Sequence, residues 1–428
     1  MRKSLLFLLV CCGLSAAASA WSAKPVEIRF AWWGGKVRNQ ATLKALDAFE
    51  ARYPGIKVKA EYTGWDGYYS RFTTQMNSGT EADVMQTNWN WLTLLSKNGE
   101  GFYDLRQLSG PIGLDQYSPA SLATTTVKGK INAIPVSANV MLFYYNAATW
   151  KKAGVAFPET WDELLKAGPV FKQKLGDNYY PLILSEQDGL LLLRSWLYQK
   201  YQKPMVDEQR RKIAWSHAEL VEAFTFYKQL TDQHVIPDAK ELAAYGKGVY
   251  YEMKPWINGE WAGIYNWNVL YPAESQNLPN PSDLVMGPYP MREGAKDAGQ
   301  FNKTALMFSI SKHSKHPQEA AMLIDFLMSQ PEGVLATGLE RGVPLSAAGE
   351  KILRDAGVLK DDDPVVTGLQ QSAALPNHSP VMPWLEDPQI IALFTAAREN
   401  IDHGKATIDE AASEFEQQAN RVLRRIMR

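Results

Sequence analysis

The stretch VEIRFAWWGGKVRNQATLKALDAFEARYPGIKVKAEYTGW, residues 26–65, sets the fold class. Val26, Ile28, Phe30 and Trp32 alternate with Glu27 and Arg29, the period of two expected of a strand with a covered face. Gly34 and Gly35 turn the chain, and Leu43, Leu46 and Phe49 then share one helical face. Pro54 and Gly55 stop that helix, after which Ile56, Val58, Ala60 and Tyr62 alternate as a second strand. Further on, Asp66 is placed to cap a helix carrying Tyr69, Phe72 and Met76, and Gly79 ends it. Asp83 to Gln86 reads as a third strand and Asn88 to Leu95 opens another helix. Strand, helix, strand, helix, strand is the order of a parallel sheet covered by helices, so this part is α/β.

The pattern continues beyond. Ile131 to Pro135 and Met141 to Tyr145 are strand-like segments separated by Ser137-Ala138-Asn139, a small polar linker suited to a crossing between lobes. Thr160 with Glu163, and Ser216 with Glu219, form capping boxes; the first opens a helix ending near Gly176. Leu182 to Leu184 is a strand, and a helix runs from Gly189 towards Tyr201. A strand is expected near Thr304 to Ile310 and a helix after Pro317. The chain closes on a helix capped by Thr407 and Glu410, with the stripe Ile408, Ala412, Phe415, Ala419, Val422 and Ile426.

Arg2 and Lys3, an apolar run from Leu5 to Leu14 and the small residues Ala18-Ser19-Ala20 read as a secretory signal peptide, cut after Ala20. Both cysteines, Cys11 and Cys12, fall within it, so the mature chain has no disulfide and no thiolate metal site. A length of 428 residues exceeds what one hydrophobic core usually serves, and two domains are expected. The formal net charge of −1 argues against a nucleic-acid surface.

The unusual feature of the composition is its 14 Trp and 19 Tyr, more polar-tipped rings than a core requires. Trp32 and Trp33 end the first strand, Trp65 follows the second, and Trp89 and Trp91 follow the third, so three strand ends aim indoles at the rim where open α/β sheets bind ligands. A sugar ring has an apolar C–H face and a polar edge; Asp66, Gln86, Asn88 and Asn90 beside those rings can meet its hydroxyls. Gly259 to Asn268, with Trp261, Tyr265, Asn266 and Trp267, offers a second aromatic and amide patch. Lys36 and Arg38 at the first helix start, and Arg341, are candidate cations for a carboxylate. Trp150, Trp161 and Trp215 are read as packing residues. Nucleotide, zinc-protease and G-x-S-x-G motifs are absent, and the Glu186/Asp188 carboxylates alone do not make a glycosidase.

On Arg29 to Gly35, Ala41 to Gly55, Tyr62 to Gly67, Asp83 to Leu92 and Arg341-Gly342-Val343-Pro344, the chain resembles the family 1 extracellular solute-binding proteins, the carbohydrate receptors of ABC importers. Within that family it is most similar to the periplasmic oligogalacturonide-binding proteins of pectin-degrading bacteria. The resemblance implies a two-lobed periplasmic-binding-protein fold (type II), each lobe a mostly parallel sheet flanked by helices. Residues 21–136 with about 303–344 would form the first lobe, and about 137–302 with 345–428 the second. A short oligosaccharide, neutral or uronate, would be enclosed between them and delivered to membrane permease subunits by a monomeric periplasmic receptor that carries no cofactor and no metal.

The candidate ligand-binding set is Trp32, Trp33, Gly34, Arg38, Trp65, Asp66, Gln86, Asn88, Trp89, Trp91, Asn139, Trp261, Tyr265, Asn266, Trp267 and Arg341. Where the family often carries a Met-Trp pair, this chain has Tyr265-Asn266-Trp267. A secreted polysaccharide-degrading enzyme and a non-transport envelope scaffold are the rival classes.

Overall fold

The structure, a computed structural model, describes residues 24–64, 67–246, 250–377, 379 and 382–427. The leader reading, with Cys11 and Cys12, and the candidates Trp65 and Asp66 therefore lie outside the described residues.

The N-terminal stretch folds as its periodicity requires. Strand β1 (Val26–Trp33), helix α1 (Lys36–Arg52), strand β2 (Ile56–Thr63), helix α2 (Tyr68–Ser78), strand β3 (Val84–Asn88) and helix α3 (Trp89–Leu95) follow in order. β1 pairs in parallel with β2 on one side and β3 on the other. Gly79 closes α2 in the left-handed region at φ 65°, where a side chain would be strained. The alternation along β1 sends Ile28, Phe30 and Trp32 into a core with Ala45, Leu46 and Phe49 of α1, and Ala31 and Trp33 to the opposite face with Tyr68, Phe72 and Met85.

Among the described residues the main sheet is seven-stranded. The long strand β4 (Ile134–Asn146) is flanked by β5 (Gly263–Trp267), β6 (Leu284–Met286) and β7 (Asn302–Ile310), and the order is β6-β4-β7-β3-β1-β2 with β5 also on β4. β7 joins antiparallel to β3 and β4. β4 changes partners along its length: Ile134 to Val140 pair with β7, whereas Met141 to Tyr145 pair with β5 and Tyr144 to Asn146 with β6. One strand therefore runs through both halves of the molecule. Ser137-Ala138-Asn139 is not a linker between two strands, as the small polar residues suggested, but the middle of this one; both segments flanking it are apolar and buried, so pairing continues across it.

The second half is built from strands β5 and β6 and helices Trp161–Leu175, Glu186–Tyr201, His217–Asp232, Pro388–Asp402 and Ile408–Ile426. Thr160/Glu163, Ser216/Glu219 and Thr407/Glu410 form the capping boxes expected of them. Ser185 and Asp188 make another, which starts the 186–201 helix earlier than Gly189 and gives Asp188 a capping role in place of an acid/base one. Helices Pro317–Ser329 and Pro331–Thr337 return to pack near α1, and Ala347–Asp355 packs against both of them. Trp150, Trp161 and Trp215 are buried packing residues.

Candidate ligand-binding site

A cavity of about 580 Å³ opens where the halves meet at the crossing. Trp33, Arg38, Leu306 and the turn from Leu339 to Val343 line it from the first half, Val269 to Pro272, Ser275 and Asp363 to Val365 from the second, and Ser137 and Asn139 of β4 lie between. Its size falls in the range of small-molecule clefts, and its position agrees with their preference for domain interfaces.

Two guanidiniums lie close together on the first-half wall of this cavity. Arg341 is 7% exposed; its Nε donates to Gln86 Oε1 at 2.8 Å and its Nη2 to Thr42 Oγ1 at 3.0 Å, while Nη1 has no partner among the described residues. Gln86 is oriented in turn by donating its Nε2 to the Trp33 carbonyl at 3.2 Å. Arg38 donates Nε to the Glu340 carbonyl at 2.9 Å and Nη1 to the Trp33 carbonyl at 3.4 Å. Neither forms a direct ion pair with a carboxylate among the described residues, although the nearby Glu340 carboxylate favours the charge on both. Burial, and secondly the charge of Arg38, push the Arg341 guanidinium down to about 9, and burial lowers Arg38 as well. Ser137 Oγ and Asn139 Oδ1, also at the cavity, are buried without a partner among the described residues. Desolvated cations and polar oxygens left in this state are stabilised by an anionic, hydroxyl-rich guest.

A second cluster ties the halves together beside the cavity. Lys303 lies opposite Asn139 in the β7–β4 ladder, and its ammonium pairs with Glu386 of the second half. Glu386 also accepts the Trp89 indole N–H at 2.7 Å and the Gln187 amide at 2.9 Å. The Lys303 Nζ stands 4.5 Å from the centre of the Trp267 ring and 5.8 Å from that of Trp89. Burial draws the ammonium below its ordinary range against the pull of Glu386.

The sequence-derived candidates separate on this geometry. Trp33, Arg38, Asn139 and Arg341 line the cavity, Gln86 orients Arg341, and Gly34 lies under the Arg38 side chain, where a Cβ would meet its Cδ at 2.7 Å. Trp89 and Trp267 converge on Lys303 from opposite halves; Asn88 caps α3 by accepting the Trp89 backbone N–H. Trp91 is packed among Trp33, Tyr68 and Phe72 and serves the wall behind the cavity.

Four candidates are corrected. Trp32 is fully buried, stacked on Tyr62 at 4.9 Å, with its N–H donated to Asn39 Oδ1, because it shares the inward phase of β1 with Phe30. Trp261 and Tyr265 are interior residues of the second half, Tyr265 bonded to the Tyr289 hydroxyl at 3.0 Å. Asn266 is buried and donates to Tyr250 and Glu274, so both its position and its amide belong to the core. Lys303 and Glu386 were missed, and Ser137 was read only as part of a linker: a single Lys or Glu carries no local signal, and their meeting depends on segments far apart in sequence.

Known proteins share this architecture. The model of the bacterial extracellular solute-binding proteins matches residues 34–333. A periplasmic oligogalacturonide binding protein from Yersinia enterocolitica, solved in complex with saturated digalacturonic acid, is 55% identical and superposes with a TM-score of 0.88 over 94% of this chain and 100% of that one. A periplasmic solute binding protein from Pectobacterium atrosepticum is 45% identical, with a TM-score of 0.90 over 94% and 100%. An uncharacterized ABC transporter extracellular-binding protein of Pyrococcus horikoshii is 26% identical over 71% of this chain and 68% of its own. With the two α/β halves and the cavity between them, the match over most of its length makes this chain a member of the bacterial extracellular solute-binding protein family.

Proposed function

We propose that the protein is the receptor subunit of an ABC importer, which captures a short oligogalacturonide between its halves in the periplasm and hands it to membrane permease subunits. The observation that carries this reading is the pair Arg38 and Arg341, desolvated at the cavity without a carboxylate partner among the described residues. A uronate carboxylate supplies the missing charge, and its hydroxyls suit Ser137 Oγ and Asn139 Oδ1. The digalacturonic acid bound by the 55% identical Yersinia enterocolitica protein supports the same ligand class. Trp33 supplies an apolar wall for the sugar ring.

Contacts from both halves are complete only when they close, so ligand binding favours the closed state; bending just beyond Ser137 to Asn139, at Val140 and Met141 where β4 passes from one set of partners to the other, accommodates the motion. The protein acts as a monomer that binds without catalysis and is exported by a leader cut after Ala20. Among the described residues no helix is long and apolar enough to cross a membrane.

Calorimetric titration with digalacturonic acid and with maltotriose tests the assignment. Binding of the acid, with little or none of the neutral sugar, is expected; equal affinity for both, or none for either, overturns it.

A further inference from the structure

Glu386 is a carboxylate in an unusual place. It lies on the turn Pro383–Glu386 of the second half, yet it is held by Trp89 and Lys303 of the first as well as by Gln187 of its own. The side chains of Lys303 and Glu386 are only 8% and 9% exposed. Glu386 meets an ammonium and an indole N–H, and that ammonium lies over the face of Trp267; these are the groups a sugar acid needs: a cation for its carboxylate, a donor for its oxygens and an apolar plane for its ring. The site adjoins the cavity, because Lys303 and the cavity residue Asn139 are direct cross-strand neighbours, whose Cβ atoms lie about 5 Å apart in such pairs.

We infer that Glu386 is a built-in stand-in for a ligand carboxylate: without a ligand it occupies Lys303 and Trp89, and as the halves close on an oligogalacturonide a second uronate carboxylate takes its place on Lys303. The inference rests on the uronate reading of the cavity and adds to it a second anionic seat. The physics favours exchange over simple occupation. A buried ion pair gains little net stability, because desolvation offsets most of the attraction, but stripping Lys303 of any partner is costly. Replacing one carboxylate by another keeps Lys303 paired throughout. A neutral sugar cannot make the exchange, so Glu386 sets a threshold that only acidic ligands pass. The ligand then carries at least two carboxylates, one for the arginine pair and one for Lys303.

Two variants test this. Glu386→Gln removes the competitor while keeping the shape, and is expected to tighten digalacturonic acid binding about tenfold and to leave Lys303 in need of the ligand's charge. The double variant Lys303→Met with Glu386→Gln removes both charges and leaves no unpaired buried ion, so it folds without the penalty of the single Lys303 change. It is expected to bind the diacid about tenfold more weakly than the unaltered protein, with monogalacturonic acid affected far less. If the unaltered protein binds digalacturonic acid but Glu386→Gln binds it no more tightly, or the double variant binds it as the unaltered protein does, the stand-in role is overturned while the uronate reading survives. If the unaltered protein ignores the diacid, both fall.

Discussion

The Nε of Arg341 donates to Oε1 of Gln86 at 2.8 Å, although 255 positions separate them in the chain. With Nη2 held by Thr42, two of the three guanidinium nitrogens are fixed, and Nη1 has no partner among the described residues. Arg341→Lys keeps the charge but loses this fork, and is expected to weaken digalacturonic acid binding by about 10- to 100-fold, roughly 1.4–2.8 kcal/mol. Gln86→Met leaves the charge in place and frees its orientation, so a smaller loss in the same direction is expected by calorimetry.

Trp32 and Trp33 are adjacent in sequence and opposite in role. Trp32→Phe keeps most of the buried ring but leaves Asn39 Oδ1 without its donor, which should cost about 1–3 kcal/mol of stability in a denaturant titration. Its ligand affinity is expected to stay unchanged. Trp33→Ala removes a cavity wall, and affinity should fall with it.

Glu274 introduces a pH dependence. It is fully buried on the helix Tyr271–Gln276; its Oε1 accepts from the Tyr250 hydroxyl and from the Asn266 amide at 2.7 Å, and its Oε2 has no partner among the described residues. Burial, the largest influence, raises the carboxyl from 4.5 to about 7, with Asp188 adding to the rise. The folded state thus holds a proton that the unfolded state has already released. Stability from this group is present below about pH 4.5 and is lost as pH rises through about 7, a change on the order of 3 kcal/mol. Glu274→Gln should raise Tm at about pH 8 and flatten the dependence between about pH 5 and 8. A Tm profile identical to that of the unaltered protein would contradict this.

Gly342 holds φ at 86°, and a Cβ there would approach Ser137 Cβ to 3.1 Å. Gly342→Ala forces strain at this left-handed position and pushes the Arg341 turn away from β4. Expected outcomes are a loss of about 1–3 kcal/mol in stability and weaker digalacturonic acid binding, read from thermal unfolding with and without ligand.

The N-terminal β-α-β-α-β unit was legible because its signals are local. Alternation along β1, the helical stripe of Leu46 and Phe49, and turns at Gly34, Pro54 and Gly79 each act within a few residues. The capping boxes at Thr160, Ser216 and Thr407 were legible for the same reason. The cation candidates Arg38 and Arg341 were also visible, as charges beside a helix start and a glycine turn.

Other features depend on which distant segments meet. Trp32 and Trp33 look alike as a pair, and only the covering of one β1 face by α1 decides that Trp32 is core and Trp33 is cavity wall. Ser137 to Asn139 look like a linker until β7 and β5 arrive to pair with the two ends of β4. The pairing of Lys303 with Glu386 joins residues 83 positions apart, and no periodicity or motif encodes it. Secondary structure follows from short-range sterics and hydrophobic phase, which the sequence by itself determined; burial, desolvated charge and the meeting of the halves are properties of assembled surfaces, and these only the tertiary structure decided.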